Sequence, residues 1–328
     1  MTDFSQATDV RAYIQETEWA SKPTAAVQDL TLLSGGMVNY VWRVTFADAS
    51  SVILKHFPPA LRLNPNFAFP QERCQLEHIA LAAVATQFAT TVSAWCAPKP
   101  LYFDDAQYVI LQQDMPGVPL YDLFKADLDH ATPSTDDLAW IAEALLAFLR
   151  DVQSLAVPDI SRFANSPLTP LMNRMYLRNL PRMTEMDVPD ASSWCDRAAA
   201  CDAFAPTSFL FGDFWPNSIL VDFHTKRIAV IDWELARTGH YGMDMTQMMA
   251  NLALMGRGKP FKKALAQDMV AAMVKAWKAT PEPESDKFDF VAAYVKRAVQ
   301  LTQYTHWELD DVKATVQDLV AAAPALFE

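Results

Sequence analysis

No apolar run in the chain approaches the roughly 18 residues that a membrane span requires, so a transmembrane protein is not expected. The first residues, MTDFSQATDV, are acidic and lack the basic start and apolar centre of a secretory leader. Only four cysteines occur, Cys74, Cys96, Cys195 and Cys201. They show no CxxC spacing and no paired histidines, which argues against a zinc site and against a disulfide framework. Basic charge is scarce too: 27 Lys and Arg stand against 39 Asp and Glu, a formal net charge of −12. Nucleic-acid binding calls for a basic face and is not expected. An acidic chain can draw a cationic ligand into a cleft, but net charge most simply serves solubility. There is no internal repeat and no low-complexity segment. These absences together predict a cytoplasmic protein with reduced thiols and with neither membrane nor nucleic acid as partner.

What is present suits more than one core. The 328 residues are 51% hydrophobic and 20% charged, an ordinary globular composition spread over a length that favours two lobes. The chain is organised around FGDFWPNSILVDFHTKRIAVIDWE, residues 211–234. Ile219 to Asp222 and Ile228 to Ile231 read as two short strands joined by a polar turn. The hairpin puts Asp213 before its first strand and Asp232 after its second. Two such carboxylates can serve phosphoryl transfer to a hydroxyl, one near the acceptor proton and one on a metal ion. Two acidic loop residues beside core strands would read the same way in isolation.

The N-terminal part predicts a helix over 8–20, then strand, Ser-Gly-Gly loop, strand, turn and strand over 30–57. Gly35 and Gly36 let a backbone approach phosphate closely. Lys55 lies inside an apolar strand, where it must either reach out along an edge or meet an anion. Residues 70–88 predict a helix with an apolar stripe, and Glu77 beside that stripe can pair with Lys55 or simply face solvent. Two strands follow over 100–115. Met115-Pro116-Gly117 breaks the pattern and marks the expected lobe boundary. The backbone of Gln112 to Met115, with Gln113 and Met115 foremost, can bond a nucleotide base edge. Beyond the break, residues 138–155 are strongly amphipathic, residues 156–206 are irregular with a helix or two, and helices are expected from near Asp244, over 260–279, 286–309 and 311–323.

The motifs GDFWPNSILV and AVIDWELA, with Gly239 and Asp244, resemble the pattern HGDxxPxN…IDWExAxxGxxxxD of the aminoglycoside phosphotransferase, choline kinase and methylthioribose kinase superfamily. SGGMVNYVWRV is similar to that superfamily's first hairpin, and ERCQLEHIAL to its RxxxExxAL helix. The resemblance spans about residues 30–310. It implies an α+β, bilobal, protein-kinase-like fold. A nucleotide-binding N-terminal lobe over 1–115, with a helical extension over 1–29, would precede a mostly helical catalytic and substrate-binding lobe over 116–328. It also implies an ATP- and Mg²⁺-dependent kinase of a small hydroxylated molecule. Asp213 would be the catalytic base, Asp232 the metal-binding aspartate, Lys55 the phosphate-binding lysine and Glu77 its ion-pair partner. Asp244 would brace the catalytic loop through backbone N–H groups. The chain lacks the HRD loop and DFG-to-APE segment of protein kinases.

Two departures stand out. Phe211 replaces the loop histidine of the superfamily. Ser218 occupies the place of the metal-binding asparagine, with Asn217 one residue early, so either could supply the second metal oxygen; ungapped spacing favours Ser218. The alternative function is a weak or inactive kinase-like nucleotide-binding protein.

Overall fold

The computed structural model describes residues 2–17, 19, 23, 25–33, 38–89, 93–164, 168, 179–202, 208–279 and 288–327. The chain divides into two compact units. The first comprises Met1–Thr91, Ala97–Met115 and Trp233–Leu235; the second comprises Val92–Cys96, Pro116–Asp232 and Ala236–Glu328.

The first unit is built on a five-stranded antiparallel sheet in the order β1-β2-β3-β8-β7. Its strands are β1 (Val27–Leu32), β2 (Tyr40–Phe46), β3 (Ser51–His56), β7 (Pro100–Asp104) and β8 (Val109–Gln113). A small hairpin, β4 (Ala60–Leu61) with β5 (Asn64–Ala68), projects from it; its exposed strand NPNFA has no alternation to predict it. In β2 the alternating Trp42, Val44 and Phe46 are buried while Arg43 is exposed, the two-residue period of a strand with one core face. β3 is buried at Val52, Ile53, Leu54 and Lys55 in succession, because both faces of the sheet are covered. On one face Val52, Leu54, Val109 and Leu111 pack with Val10, Tyr13 and Ile14 of helix α1 (Ala7–Glu16). On the other, Ile110 and Phe57 meet Cys74 of helix α2 (Arg73–Gln87). α1 ends at Glu16, short of the predicted helix, and no side chain caps its start.

In the second unit the predicted hairpin appears as β11 (Ile219–Asp222) and β12 (Arg227–Val230). It is the middle of a four-stranded sheet, β6-β12-β11-β9, whose outer strands β6 (Trp95–Cys96) and β9 (Val118–Pro119) are two residues each. β9 needs the break in the chain before it: Gly117 has φ +128°, and a Cβ there would lie 3.0 Å from the carbonyl group of Val221. A further pair, β10 (Phe209–Leu210) with β13 (Arg237–Thr238), brackets the hairpin.

Helices fill the rest: α3 (Leu120–Phe124), α4 (Thr135–Gln153), α5 (Ser161–Ala164), α6 (Asn179–Glu185), α7 (Ala191–Asp202), α8 (Gly242–Met255), α9 (Lys263–Lys278), α10 (Phe290–Leu301) and α11 (Val312–Phe327). α4 starts on a capping box, in which Ser134 Oγ accepts from the Asp137 N–H and Asp137 Oδ2 accepts from the Ser134 N–H. It buries Leu138, Ile141, Leu145, Phe148, Leu149 and Val152 on one face. α8 is buried at every position, the mark of a helix at the centre of a core. Parts of the irregular 156–206 stretch lie outside the described residues. Among the described residues no helix is long and apolar enough to cross a membrane. All four cysteines are free thiols.

Candidate active site

β10 feeds directly into the loop that carries Asp213. Asp244, in the first turn of α8, is 2% exposed. Its carboxylate accepts the backbone N–H of Phe211 at 3.0 Å and of Gly212 at 2.9 Å. Burial pushes this carboxyl up to about 7, with Arg237, the two N–H bonds and Arg297 pulling the other way. The folded state therefore holds this proton longer than the unfolded chain does. The stability it contributes is complete below about pH 4 and is lost as pH rises through about 7. Asp244→Asn removes the titration, so its deficit relative to wild type should shrink between about pH 5 and about pH 8. Chemical denaturation across that range would test this, and a constant deficit would contradict it.

From Asp213 to Ser218 the loop alternates in exposure: Asp213, Trp215 and Asn217 are half-buried, while Phe214, Pro216 and Ser218 are buried. Gln247 of α8 donates its side-chain N–H to Asp213 Oδ1 at 2.9 Å and so orients the carboxylate. Phe211, where the resembling families have histidine, is fully buried. Its ring meets Phe148 edge-on at 5.6 Å and Phe214 at 6.1 Å, bracing the loop by packing. Ser218 Oγ donates toward the carbonyls of Trp215 (2.8 Å) and Asp213 (3.1 Å) and accepts from the Trp215 N–H at 3.3 Å. A hydroxyl has one donor and two acceptor sites, so Ser218 is engaged in holding its own loop. Asn217 is half-buried, and its side chain makes no hydrogen bond among the described residues.

The loop enters β11, and the Ile231 N–H donates to Ser218 O at 2.9 Å where the hairpin closes. Asp232 follows with φ +65°, a left-handed conformation that is rare for a residue other than glycine and that recurs at functional sites. The next three residues, Trp233–Leu235, belong to the first unit.

In that unit Lys55 and Glu77 form an ion pair at 2.7 Å, with side chains 1% and 0% exposed. Glu72, the other glutamate near the start of α2, is exposed. One turn before Glu77, Arg73 is fully buried: its Nε donates to Glu234 at 2.9 Å, and its Nη2 to Asn39 Oδ1 at 3.0 Å. The Asn39 amide closes the triangle with 2.9 Å bonds to both Glu234 oxygens. Gln113 has its N–H bonded to Lys99 O inside the sheet, and Met115 is half-buried at the end of the segment. Asp114 between them takes a two-pronged contact from Arg43 and a bond from Ser51. Gly35 and Gly36 lie outside the described residues.

The sequence alone does not single out Asn39, Asp114, Gln247, Arg73 or Glu234. The last two sit inside the ERCQLE and IDWE motifs, so a signal for them existed; the other three had none.

The profile described as "Phosphotransferase enzyme family" (APH) matches residues 29–280. The chain belongs to that family. By class it is a small-molecule kinase with the protein-kinase-like fold. Two 4-hydroxytryptamine kinases are among this phosphotransferase's relatives. The one from Psilocybe cyanescens is 22% identical over 303 residues, covering 85% of this chain and 82% of its own. The one from Psilocybe cubensis is 19% identical over 300 residues, covering 84% and 81%. Among solved structures, amicoumacin kinase hAmiN in complex with AMP-PNP, Ca²⁺ and Ami superposes with a TM-score of 0.57 at 11% identity, covering 91% of this chain and 88% of its own. The GDP complex of aminoglycoside 2′-phosphotransferase-IIIa gives 0.53 at 14% identity, covering 97% and 95%.

Proposed function

We propose that the protein transfers the γ-phosphoryl group of ATP to a hydroxyl of a small molecule, with Asp213 as the base. The observation that carries this reading is the state of Asp213. Its backbone loop is clamped by Asp244, its carboxylate is oriented by Gln247, and it remains half-exposed on a loop whose alternate residues are buried. In the transfer the acceptor oxygen bonds to the γ-phosphorus as the bond to the β–γ bridging oxygen breaks. Asp213 receives the hydroxyl proton, and ADP departs. Lys55, held by Glu77, supplies positive charge to the phosphates, and Gly35 and Gly36 supply backbone N–H groups. Because the Gln113 N–H is used in the sheet, Met115 is the better backbone candidate for the base edge. The reaction needs no nucleophile from the protein, and a cytoplasmic setting accords with its use of nucleotide.

The half-exposed Asp232 carboxylate and Asn217 carboxamide are hard oxygen donors of the kind that suits magnesium, which when bound neutralises phosphate charge. Asn217 ranks ahead of Ser218 because the serine hydroxyl is engaged within its own loop. Asn217→Ala should raise the magnesium concentration for half-maximal activity severalfold. Ser218→Ala should leave that requirement alone and lower thermal stability. Magnesium titrations on one substrate decide it, and the reverse ranking would restore Ser218 as the ligand.

The test of the reading itself is ADP release by purified protein against a panel of alcohols, amino alcohols, sugars and hydroxylated aromatic amines. The last class is included because the relatives are named 4-hydroxytryptamine kinases. It also suits the ring cluster beside the catalytic loop, in which Tyr121 meets Trp215 at 5.8 Å and Phe261 at 5.6 Å. Acceptor-dependent ADP release is expected. Nucleotide binding without turnover on any acceptor would favour a silent kinase-like binding protein. Of the solved neighbours, one is complexed with AMP-PNP and one with GDP, so the fold by itself does not choose the base.

A further inference from the structure

Lys125 lies just past the end of α3 in the second unit and is half-buried. Its backbone is pinned on both sides: the Ala126 N–H donates to Pro260 O at 2.9 Å, and the Lys262 N–H donates to Phe124 O at 2.7 Å. Lys125 and Phe261 thereby face each other as an isolated antiparallel bridge. The ammonium sits over two rings, 5.4 Å from the centroid of Tyr121 and 5.4 Å from that of Phe261. Among the described residues it forms no ion pair and donates no hydrogen bond. Lysine is seldom taken out of water without a partner. In a chain with 39 acidic residues against 27 basic ones, a half-buried amine without a carboxylate is the uncommon case.

The neighbours do not neutralise it. Asp122 stands three residues earlier on α3, a spacing at which helix side chains meet, yet the two form no ion pair. Asp122 is itself half-buried, and burial raises its carboxyl, with His130 and Lys125 pulling the other way. Asp127, which also acts on Asp122, is exposed. Burial lowers the His306 imidazole and the charge of Lys125 lowers it further, so this ring supplies no counter-charge. The position of the amine gives it a use. Tyr121, which carries Lys125 on its ring, meets Trp215 at 5.8 Å, and Trp215 lies two residues from Asp213. Trp215, Tyr121 and Lys125 form a chain of contacts, all within the second unit, that starts on the loop of the base and ends on a positive charge.

We propose that Lys125 holds a carboxylate on the phosphate acceptor, which makes the acceptor class a hydroxylated aromatic acid; this rests on the kinase reading above. The ring of such a molecule packs against Tyr121 and Trp215, its hydroxyl reaches Asp213, and its carboxylate takes the ammonium. A single ammonium balances the single charge of a carboxylate, and half-burial shields the pair from water more than an open surface does. A cationic acceptor meets the opposite situation. The ring faces that attract an ammonium already carry one, and like charges repel.

ADP release with matched acceptors tests this: hydroxyphenylpropionate, its carboxamide and tyramine, together with the corresponding hydroxymethyl-substituted series. The acid should exceed the carboxamide about tenfold or more in kcat/KM, since a hydrogen bond to a charged group is worth at least that factor, and the amine should fall below both. Lys125→Met keeps an unbranched side chain on the rings without the charge. It should bring acid and carboxamide within about twofold of each other, through KM rather than kcat, because Lys125 does not act on the reacting atoms. Lys125→Arg should restore most of the preference, which a role in packing alone would not do. Should Lys125→Met fail to fold, phenylpropionate, which lacks the hydroxyl, should compete with the acceptor on wild type more tightly than phenethylamine. A preference for the amine or the carboxamide, an undiminished acid preference in Lys125→Met, or tighter competition by phenethylamine would overturn the proposal. If no acceptor of any charge releases ADP, the kinase reading itself fails; if carboxamides or amines are phosphorylated and acids are not, only the present inference does.

Discussion

Asp213→Asn should lower turnover by about two orders of magnitude or more, the scale on which a general base contributes, with nucleotide affinity unchanged. The substitution is close to isosteric, and the surroundings accommodate it. Gln247 donates to Oδ1, which an asparagine retains as a carbonyl oxygen, and the Phe211 and Gly212 amides that hold the loop bind Asp244 rather than Asp213. What changes is the second carboxylate oxygen, which becomes an N–H₂ group. It offers protons where the acceptor hydroxyl must lose one. The loss should thus appear in kcat, with the KM for nucleotide little altered. Steady-state kinetics on any acceptor found by ADP release, alongside a nucleotide titration, would measure both. Near-native turnover would remove Asp213 from the role of base.

Cutting the buried triangle of Asn39, Arg73 and Glu234 should produce the largest loss of stability. Arg73 is fully buried, and burial pulls its guanidinium down while Glu234 pulls it up. Its donors go to Glu234, Asn39, Phe69 O, Pro70 O and Pro58 O. Removing one member of such a set leaves a charge in the interior with no counter-charge, at a cost of about 3–5 kcal/mol. Arg73→Leu and Glu234→Leu should each destabilise the first unit by that amount. The double variant should lose less than the two single losses combined, because no lone charge remains. A chain of two units need not unfold in one step, so amide exchange in β2 and α2 is the sensitive measurement. Single losses under about 1 kcal/mol, or strictly additive ones, would show that the triangle is not the anchor that its geometry describes.

Much of the fold was written locally. The alternation of Trp42, Val44 and Phe46, the helical stripe from Leu138 to Val152 with its Ser134 cap, and the Ile219–Asp222 and Arg227–Val230 hairpin are all products of short-range periodicity and turn chemistry. The Lys55–Glu77 pairing was legible because a lysine in an apolar strand and a glutamate beside an apolar helix stripe each need a partner when buried. The Asp244 brace followed from the family pattern. Other features depend on residues far apart in the chain. β6 and β9 are two residues each, too short to carry a periodic signal, and become strands only by pairing with the hairpin. Glu234 reads as one more acidic residue after Asp232 until Arg73, distant in sequence, is laid against it. Ser218 aligned best with a metal-binding asparagine, yet its hydroxyl turns inward because the carbonyls of Asp213 and Trp215 lie within reach once the loop is closed. Periodicity and propensity act between near neighbours and are recorded in sequence. Burial and hydrogen-bond satisfaction are properties of the assembled interior, and only the tertiary structure sets them.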